Sequence, residues 1–321
     1  MPESRTFRFH TLDVFTDRVF GGNPLAVLTD ARGLTDDEMA RITREFNLSE
    51  TVFLLPPDDL THTARARIFT PGSELPFAGH PTVGTAFLLV AIGMVPAQDG
   101  ETRVILEEGV GPVPVTVRVE RGVPVSAELT AAQLPEVRRG APDVPPPSEI
   151  AAVLGISTDA IGAGALAPAA VSCGVPYLLV PVRDLAFVKD ARFDRAAWER
   201  SIAPLWAHAI YVFDGSAAER GQRIRARMFA PDLGIVEDPA TGSAAATLAG
   251  YLALASAEHG DTRDGTLAWR VDQGVEMGRP SLLELSAELR DGAVTAVRVG
   301  GSAVLVSEGT LRVPRETSAL G

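Results

Sequence analysis

Residues 66–90 read ARIFTPGSELPFAGHPTVGTAFLLV, and residues 226–250 read ARMFAPDLGIVEDPATGSAAATLAG. With a gap of two residues the second stretch repeats the first, and the aligned pairs are Pro71 with Pro231, His80 with Asp238, and Gly84 with Gly242. The offsets are 231 − 71 = 160 and 242 − 84 = 158, about half of the 321-residue chain. Solenoid repeats recur every ~20–50 residues, so this longer period predicts duplication of a whole domain.

A duplicated fold leaves a cleft between its halves. Unlike residues at matched positions, His80 and Asp238, can then face one substrate from two sides. The proline-rich stretch RRGAPDVPPP at residues 138–147 is the best candidate linker. We therefore expect an N-terminal domain at residues 1–137 and a C-terminal domain at residues 138–321, with the last strand able to pack back on the first domain.

The helices of the two repeats, expected over residues 82–90 and 240–254, are apolar nearly all round. A helix of that kind is buried on every side. Strand-like segments occur elsewhere in both halves, for example at residues 113–120 and 281–289. The predicted fold class is therefore α+β, with each half a curved sheet around one central helix.

Composition excludes several classes of protein. The net charge of −12 is unsuited to nucleic acid, which requires a basic surface, and 46% hydrophobic residues suffice for two buried cores. The single cysteine, Cys173, excludes an intrachain disulfide and fits a reducing compartment. The longest apolar stretch, residues 86–95, is far shorter than the roughly 18 residues of a membrane helix, and residues 1–15 lack the layout of a signal peptide. We expect a cytoplasmic protein that binds no nucleic acid and no membrane.

The segments GHPTVGT at residues 79–85 and EDPATGS at residues 237–243 place small and hydroxyl residues in a predicted first helical turn. Backbone N–H groups there lack partners within the helix, and the helix dipole is positive at that end, so such a turn binds carboxylate or phosphate. Two alternatives remain open: Asp238 can simply cap its helix, and His80 can be a hydrogen-bonded structural residue. Their matched positions in the repeat favour a functional role for the pair.

Glu50 lies in the segment NLSET at residues 47–51, between a helix marked by the capping box TDDE at residues 35–38 and a β-rich run. At such a junction a side chain can project into a cleft. An enzyme that moves protons on carbon needs a carboxylate beside an apolar wall, which raises the pKa of the carboxylate toward the working pH. Residues 52–54 (VFL) supply apolar neighbours. The alternative is a solvated glutamate before a strand, and the residues alone favour that alternative.

Several cofactor and nucleophile motifs are absent from the sequence. It contains neither GxxxxGK[ST] nor GxSxG, and its five histidines are scattered without metal-ligand spacing. The segment GAGALA at residues 162–167 fits a loose dinucleotide fingerprint, but no strand precedes it and Pro168 follows directly. We interpret it as a loop and expect neither a cofactor nor a metal.

Taken together, the phrases of this chain resemble the PhzF-like family, named after the phenazine-biosynthesis isomerase. Seven phrases match in order over about 270 residues, which makes the resemblance far more specific than any single one. They are DVF at 13–15, GNP at 22–24, NLSE at 47–50, FTP at 69–71, ELPFAGHP at 74–81, EDPATGSA at 237–244 and QGVEMGRPS at 273–281.

The resemblance implies a duplicated diaminopimelate epimerase-like fold, in which each domain is a mostly antiparallel half-barrel around a central helix and the active site lies between the domains. It also implies a homodimer that uses no cofactor or metal. By motif context it assigns catalytic roles to Glu50, as acid/base, and to Asp238 and His80. It assigns substrate binding to Ser49, Gly79, Gly242 and Ser243.

The activity that the resemblance implies is cofactor-independent isomerisation, in which a proton moves between carbons of a small cyclic or unsaturated carboxylic acid. The phenazine enzyme does this with trans-2,3-dihydro-3-hydroxyanthranilate. Two alternatives remain: an epimerase or racemase acting on a small carboxylate, and a non-catalytic small-molecule-binding protein. Epimerases of this fold that use two thiols are excluded as models, because Cys173 is the single cysteine.

Overall fold

The computed structural model describes residues 4–233, 235–259 and 264–314. Its strands are β1 (Ser4–Val14), β2 (Asn23–Leu28), β3 (Glu50–Leu55), β4 (Ala64–Phe69), β5 (Glu74–Leu75), β6 (Gly100–Glu108), β7 (Gly111–Glu120), β8 (Val123–Thr130), β9 (Glu136–Arg138), β10 (Ala169–Ser172), β11 (Pro176–Val182), β12 (Ala209–Asp214), β13 (Ile224–Ala230), β14 (Ile235–Asp238), β15 (Gly265–Gln273), β16 (Ser281–Arg290), β17 (Ala293–Gly301) and β18 (Ala303–Pro314). Its α-helices are α1 (Asp36–Phe46), α2 (Gly79–Ala91), α3 (Pro147–Leu154), α4 (Leu185–Asp190), α5 (Arg195–Ser201), α6 (Gly215–Glu219) and α7 (Gly242–Glu258).

The chain forms two compact units. The first contains residues 1–20, 24–127 and 302–321, and the second contains residues 21–23 and 128–301. Strand β18 thus belongs to the first unit, whereas a boundary between separately folding domains at 137/138 stays a prediction of the sequence. Among the described residues, the model contains no helix with the length and apolarity that a membrane crossing requires.

In the first unit, strands contact α2 from several sides. β1 pairs antiparallel with β18 along its whole length, from Ser4 opposite Pro314 to Val14 opposite Ala303. β2 lies parallel to β3, β3 antiparallel to β4, β4 parallel to β6, and β6 antiparallel to β7. α2 contacts β1, β3, β6, β7 and β18, and every residue from 79 to 90 is buried. The apolar sequence of this helix therefore predicted its central position.

The second unit repeats the same order of pairings around α7. β11 lies parallel to β12, β12 antiparallel to β13, β13 parallel to β15, and β15 antiparallel to β16. α7 contacts β10, β11, β15, β16 and β17, and most of its residues are buried. Two units with the same succession of strands and a central helix are the outcome expected of a duplicated domain, and the α+β class is confirmed.

The strand registers change one detail of the repeat. Ile68 lies opposite Leu75 in the β4–β5 pair, and Met228 lies opposite Asp238 in the β13–β14 pair. Ile68 and Met228 are themselves matched in the repeat, since 228 − 68 = 160. The counterpart of Asp238 in the first unit is therefore Leu75 and not His80.

The helix starts lead to the same correction. α2 begins at Gly79 and α7 at Gly242, so the counterpart of His80 is Ser243. Between the matched strands and the central helix, the second copy therefore has three residues more than the first copy. The sequence alignment assumed instead that the second copy has two residues fewer. The expected helix start at residue 240 was wrong because Thr241 is extended, with φ −110° and ψ 93°, and hydrogen bonds to Asp238 and Gln273 hold it there.

The end of α1 places Glu50. α1 begins at the expected capping box, in which Glu38 N–H donates to Thr35 Oγ1 and Thr35 N–H donates to the Glu38 carboxylate. Asn47 ends the helix in the left-handed conformation, with φ 52°, a region that Asn tolerates better than most residues. The chain turns through residues 48–49, and β3 begins at Glu50.

Candidate active site

Glu50 and His80 meet within the first unit. Glu50 is the first residue of β3, opposite Leu25 on β2, and its side chain is only 12% exposed. His80 is the second residue of α2 and is buried. Glu50 Oε2 and His80 Nε2 lie 3.3 Å apart. The solvated glutamate that the residues alone favoured is therefore wrong, because Glu50 is largely enclosed and faces an imidazole.

The imidazole of His80 is neutral at physiological pH. Burial lowers the pKa of His80 to about 3, and a hydrogen bond to the backbone of Pro24 acts weakly in the opposite direction. Proline has no N–H, so its carbonyl must be the acceptor and the imidazole the donor. A neutral ring has one N–H, and the nitrogen that faces Glu50 is therefore an acceptor.

Asp238 ends β14 in the second unit and is fully enclosed. Asn23 Nδ2 donates to Oδ1 at 3.0 Å, and Thr241 Oγ1 donates to Oδ2 at 2.5 Å. Burial raises the pKa of Asp238 above its ordinary value, and the hydrogen bonds from Thr241, Asn23 and the Ala240 backbone offset only part of that rise. Asp238 does not cap α7, because the N-cap residue is Thr241 and no side chain caps this helix.

The first turn of α2 is as the sequence predicted, whereas α7 begins only at Gly242, so residues 237–241 lie before its first turn. Gly79 and Gly242 are buried and begin α2 and α7, and neither helix has a side-chain cap at its N-terminus. Ser243, in the first turn of α7, has its Oγ 2.7 Å from the hydroxyl of Tyr177 on β11. Ser49 is half-buried in the turn before β3. Each unit thus presents helix N–H groups beside a polar side chain.

The sequence did not indicate four side chains that surround the candidate residues. Asn23 binds Asp238, Tyr177 binds Ser243, and Gln273 binds both Thr241 and the backbone of Asp238. Tyr211 in turn binds Gln273. Two of them do lie in quoted phrases, GNP at 22–24 and QGVEMGRPS at 273–281, so their presence was visible but their partners were not.

Known proteins resemble this chain over nearly its whole length. A family model described as phenazine biosynthesis-like protein matches residues 12–309. An uncharacterized isomerase of Mesorhizobium japonicum is 41% identical over 311 residues, covering 96% of this chain and 99% of that protein. The trans-2,3-dihydro-3-hydroxyanthranilate isomerase of Pseudomonas chlororaphis is 37% identical over 301 residues, covering 94% and 97%. A PhzF-family phenazine biosynthesis protein of Bacillus anthracis, 23% identical, has the same fold with a TM-score of 0.82, covering 96% and 100%.

Proposed function

The chain belongs to the phenazine biosynthesis-like protein family and is an isomerase, and we propose that Glu50 is the acid/base that carries the transferred proton. The observation that supports this role is the 3.3 Å approach of Glu50 Oε2 to Nε2 of the buried His80. A carboxylate enclosed beside a polar partner can take up and release a proton at carbon, whereas a solvated one is too weak a base.

In the proposed reaction Glu50 takes a proton from one carbon of the substrate and returns it to another. Atoms balance without a cofactor, because Glu50 gives back one proton for each proton that it takes, and the proton on its carboxyl group exchanges with solvent before it is returned. The neutral His80 would accept a hydrogen bond from Glu50 while Glu50 holds the proton. The first-turn N–H groups at Gly79 and Gly242 would bind the substrate carboxylate and stabilise the enolate-like charge that develops.

We further propose that His80 and Asp238 act on the same substrate molecule. The sequence supports this, because GHP at residues 79–81 and EDP at residues 237–239 are the motifs in which the family resemblance places catalytic residues. Ser49 and Ser243 would contribute hydroxyl groups to substrate binding. We also propose a homodimer, which the family resemblance implies, and a cytoplasmic location, which the composition of the chain indicates.

The proposed substrate is a small cyclic or unsaturated carboxylic acid, similar to the one named for the Pseudomonas chlororaphis relative. The test is to incubate the purified protein with trans-2,3-dihydro-3-hydroxyanthranilate and follow the carbon skeleton by NMR. The proposal predicts a product in which a double bond has moved. Inversion of a stereocentre with every double bond in place would instead favour an epimerase, and an unchanged acid would exclude this compound as the substrate.

A further inference from the structure

Asp238 lies at the end of a chain of buried hydrogen bonds whose direction can be worked out from backbone groups. Gln273, on β15, is completely buried. Its Nε2 lies 2.8 Å from the Asp238 carbonyl oxygen and 3.0 Å from Thr241 Oγ1. Its Oε1 lies 3.2 Å from the Thr241 backbone nitrogen and 3.0 Å from the hydroxyl of Tyr211. All four hydrogen-bonding positions of the amide are therefore used.

The backbone partners fix which end of the Gln273 amide is the donor. A carbonyl oxygen can only accept and a backbone N–H can only donate, so the amide nitrogen faces the Asp238 carbonyl and the amide oxygen faces the Thr241 N–H. With the amide reversed, its oxygen would face the Asp238 carbonyl oxygen, so that two acceptors meet. Its nitrogen would face the Thr241 N–H, so that two donors meet. Gln273 Nε2 must therefore also donate to Thr241 Oγ1.

The same reasoning continues to the carboxylate. Thr241 Oγ1 accepts from Gln273, and its own hydrogen is then directed to Asp238 Oδ2, 2.5 Å away. On the other side, Asn23 Nδ2 faces the Ala240 carbonyl at 2.9 Å, so this end of Asn23 is the amide donor. It also donates to Asp238 Oδ1 at 3.0 Å. Both carboxylate oxygens consequently receive hydrogen bonds from groups oriented as donors.

We propose that Thr241 and Gln273 are positioning residues that hold Asp238 as an ionised carboxylate in the free enzyme. Asp238 then meets the substrate as a hydrogen-bond acceptor or base and not as an acid. The part of this proposal that concerns turnover rests on the proposed function, whereas the charge of Asp238 is a property of the protein alone. Hydrogen bonds to the charged form are what can offset the cost of burying it.

Other charged and titratable groups near Asp238 oppose ionisation or are already neutralised. Glu237 raises the pKa of Asp238, but its carboxylate is held by Arg227, with Nε to Oε1 at 2.7 Å and Nη2 to Oε2 at 2.9 Å. Tyr211 stays protonated because burial and nearby negative charge raise its pKa far above the ordinary value. Among the described residues no salt bridge pairs a cation with the Asp238 carboxylate, so the donors Thr241, Asn23 and the Ala240 backbone N–H carry the stabilisation.

The test is the charge of Asp238 in the substrate-free protein. The infrared band of a protonated carboxylic acid is followed against pH in the wild type, and the Asp238→Asn variant identifies which band belongs to Asp238. We expect no such band at pH 7. Thr241→Val keeps the shape but removes the donor, and should raise the pH at which the band appears by about one to two pH units, a ten- to hundredfold change in proton affinity.

Two further variants keep the result decisive. Thr241→Ser retains the hydroxyl and should titrate as the wild type does. Thr43→Val removes a buried hydroxyl that donates to the Met39 carbonyl in α1, and should leave the Asp238 band unchanged. A protonated Asp238 at pH 7 would overturn the proposal. This observation is made on the wild-type protein. An unshifted band in a folded Thr241→Val protein would overturn the proposal as well. Neither outcome depends on turnover, so failure here is distinct from failure of the proposed isomerase reaction.

Discussion

His80 and Asp238 are both buried ionisable side chains, yet their surroundings favour different charges. Burial disfavours the charged form of either residue. His80 donates to a carbonyl and faces a carboxyl group across 3.3 Å, and its pKa is lowered to about 3. Asp238 instead receives donors on both oxygens. The lowered pKa keeps the imidazole of His80 neutral beside Glu50, and the two donors to Asp238 support the proposal that Asp238 is a carboxylate.

The low pKa of His80 predicts a loss of stability in acid. An unfolded chain binds a proton to His80 below about pH 6.5, whereas the folded protein does not until about pH 3. The unfolded state therefore binds more protons in this window, and the free energy of unfolding falls as the pH drops from 6.5 to 3. Denaturant titrations across this range should show that the free energy of unfolding of His80→Gln falls less steeply with decreasing pH than that of the wild type. Identical slopes for His80→Gln and the wild type would contradict a buried neutral His80.

At the scale of elements, the central helices position the candidate residues because they pack closely on the strands. Gly84 of α2 shows how closely: a Cβ at this position would lie 2.6 Å from Val14 Cγ2 and 2.8 Å from Leu25 Cδ2. Both neighbours are fully buried. Leu25 is also the residue opposite Glu50 in the β2–β3 pair. The approach of α2 to these strands therefore fixes the separation between Glu50 and His80.

Gly84→Ala should destabilise the protein by about 1–3 kcal/mol, because the added methyl group overpacks a core that has no room to move. Chemical denaturation measures the change in the free energy of unfolding. Gly72→Ala is the matched control, since a Cβ there would have its nearest neighbour at 3.9 Å, and it should alter stability by less than about 0.5 kcal/mol. An equal effect of the two substitutions would show that α2 is not closely packed at Gly84.

How far the sequence predicts this molecule depends on the range of the interactions. The capping box of α1 and the buried helix α2 follow from neighbouring residues, and both were predicted. The donors to Asp238 were not, because Asn23 lies 215 residues away and Gln273 lies 35 residues away in the chain. The pairing of His80 with Asp238 failed for a related reason: three additional residues before α7 change the alignment, and the strand register and the helix starts reveal them.

At the scale of the whole molecule, the duplication explains why the candidate acid/base occurs once. Leu25 lies opposite Glu50 in the parallel β2–β3 pair, and Tyr177 lies opposite Ala209 in the parallel β11–β12 pair. Leu25 and Tyr177 hold the same place in the repeat, directly after GNP at residues 22–24 and GVP at residues 174–176. The counterpart of Glu50 in the second unit is therefore Ala209, which cannot transfer a proton. The second copy has instead acquired Asp238 where the first has Leu75. The two copies share the same framework and differ at the candidate site residues.

The most direct test of the role of Glu50 is deuterium incorporation at carbon. The wild type and Glu50→Gln are incubated in D2O with trans-2,3-dihydro-3-hydroxyanthranilate, and NMR follows deuterium in the recovered acid and its product. Glu45→Gln, an exposed glutamate of α1, is the control for the substitution itself. We predict that the wild type and Glu45→Gln incorporate deuterium at carbon. The rate of incorporation by Glu50→Gln should be lower by at least about 100-fold. Incorporation by Glu50→Gln at the wild-type rate would contradict the assignment of Glu50 as the proton-transferring residue.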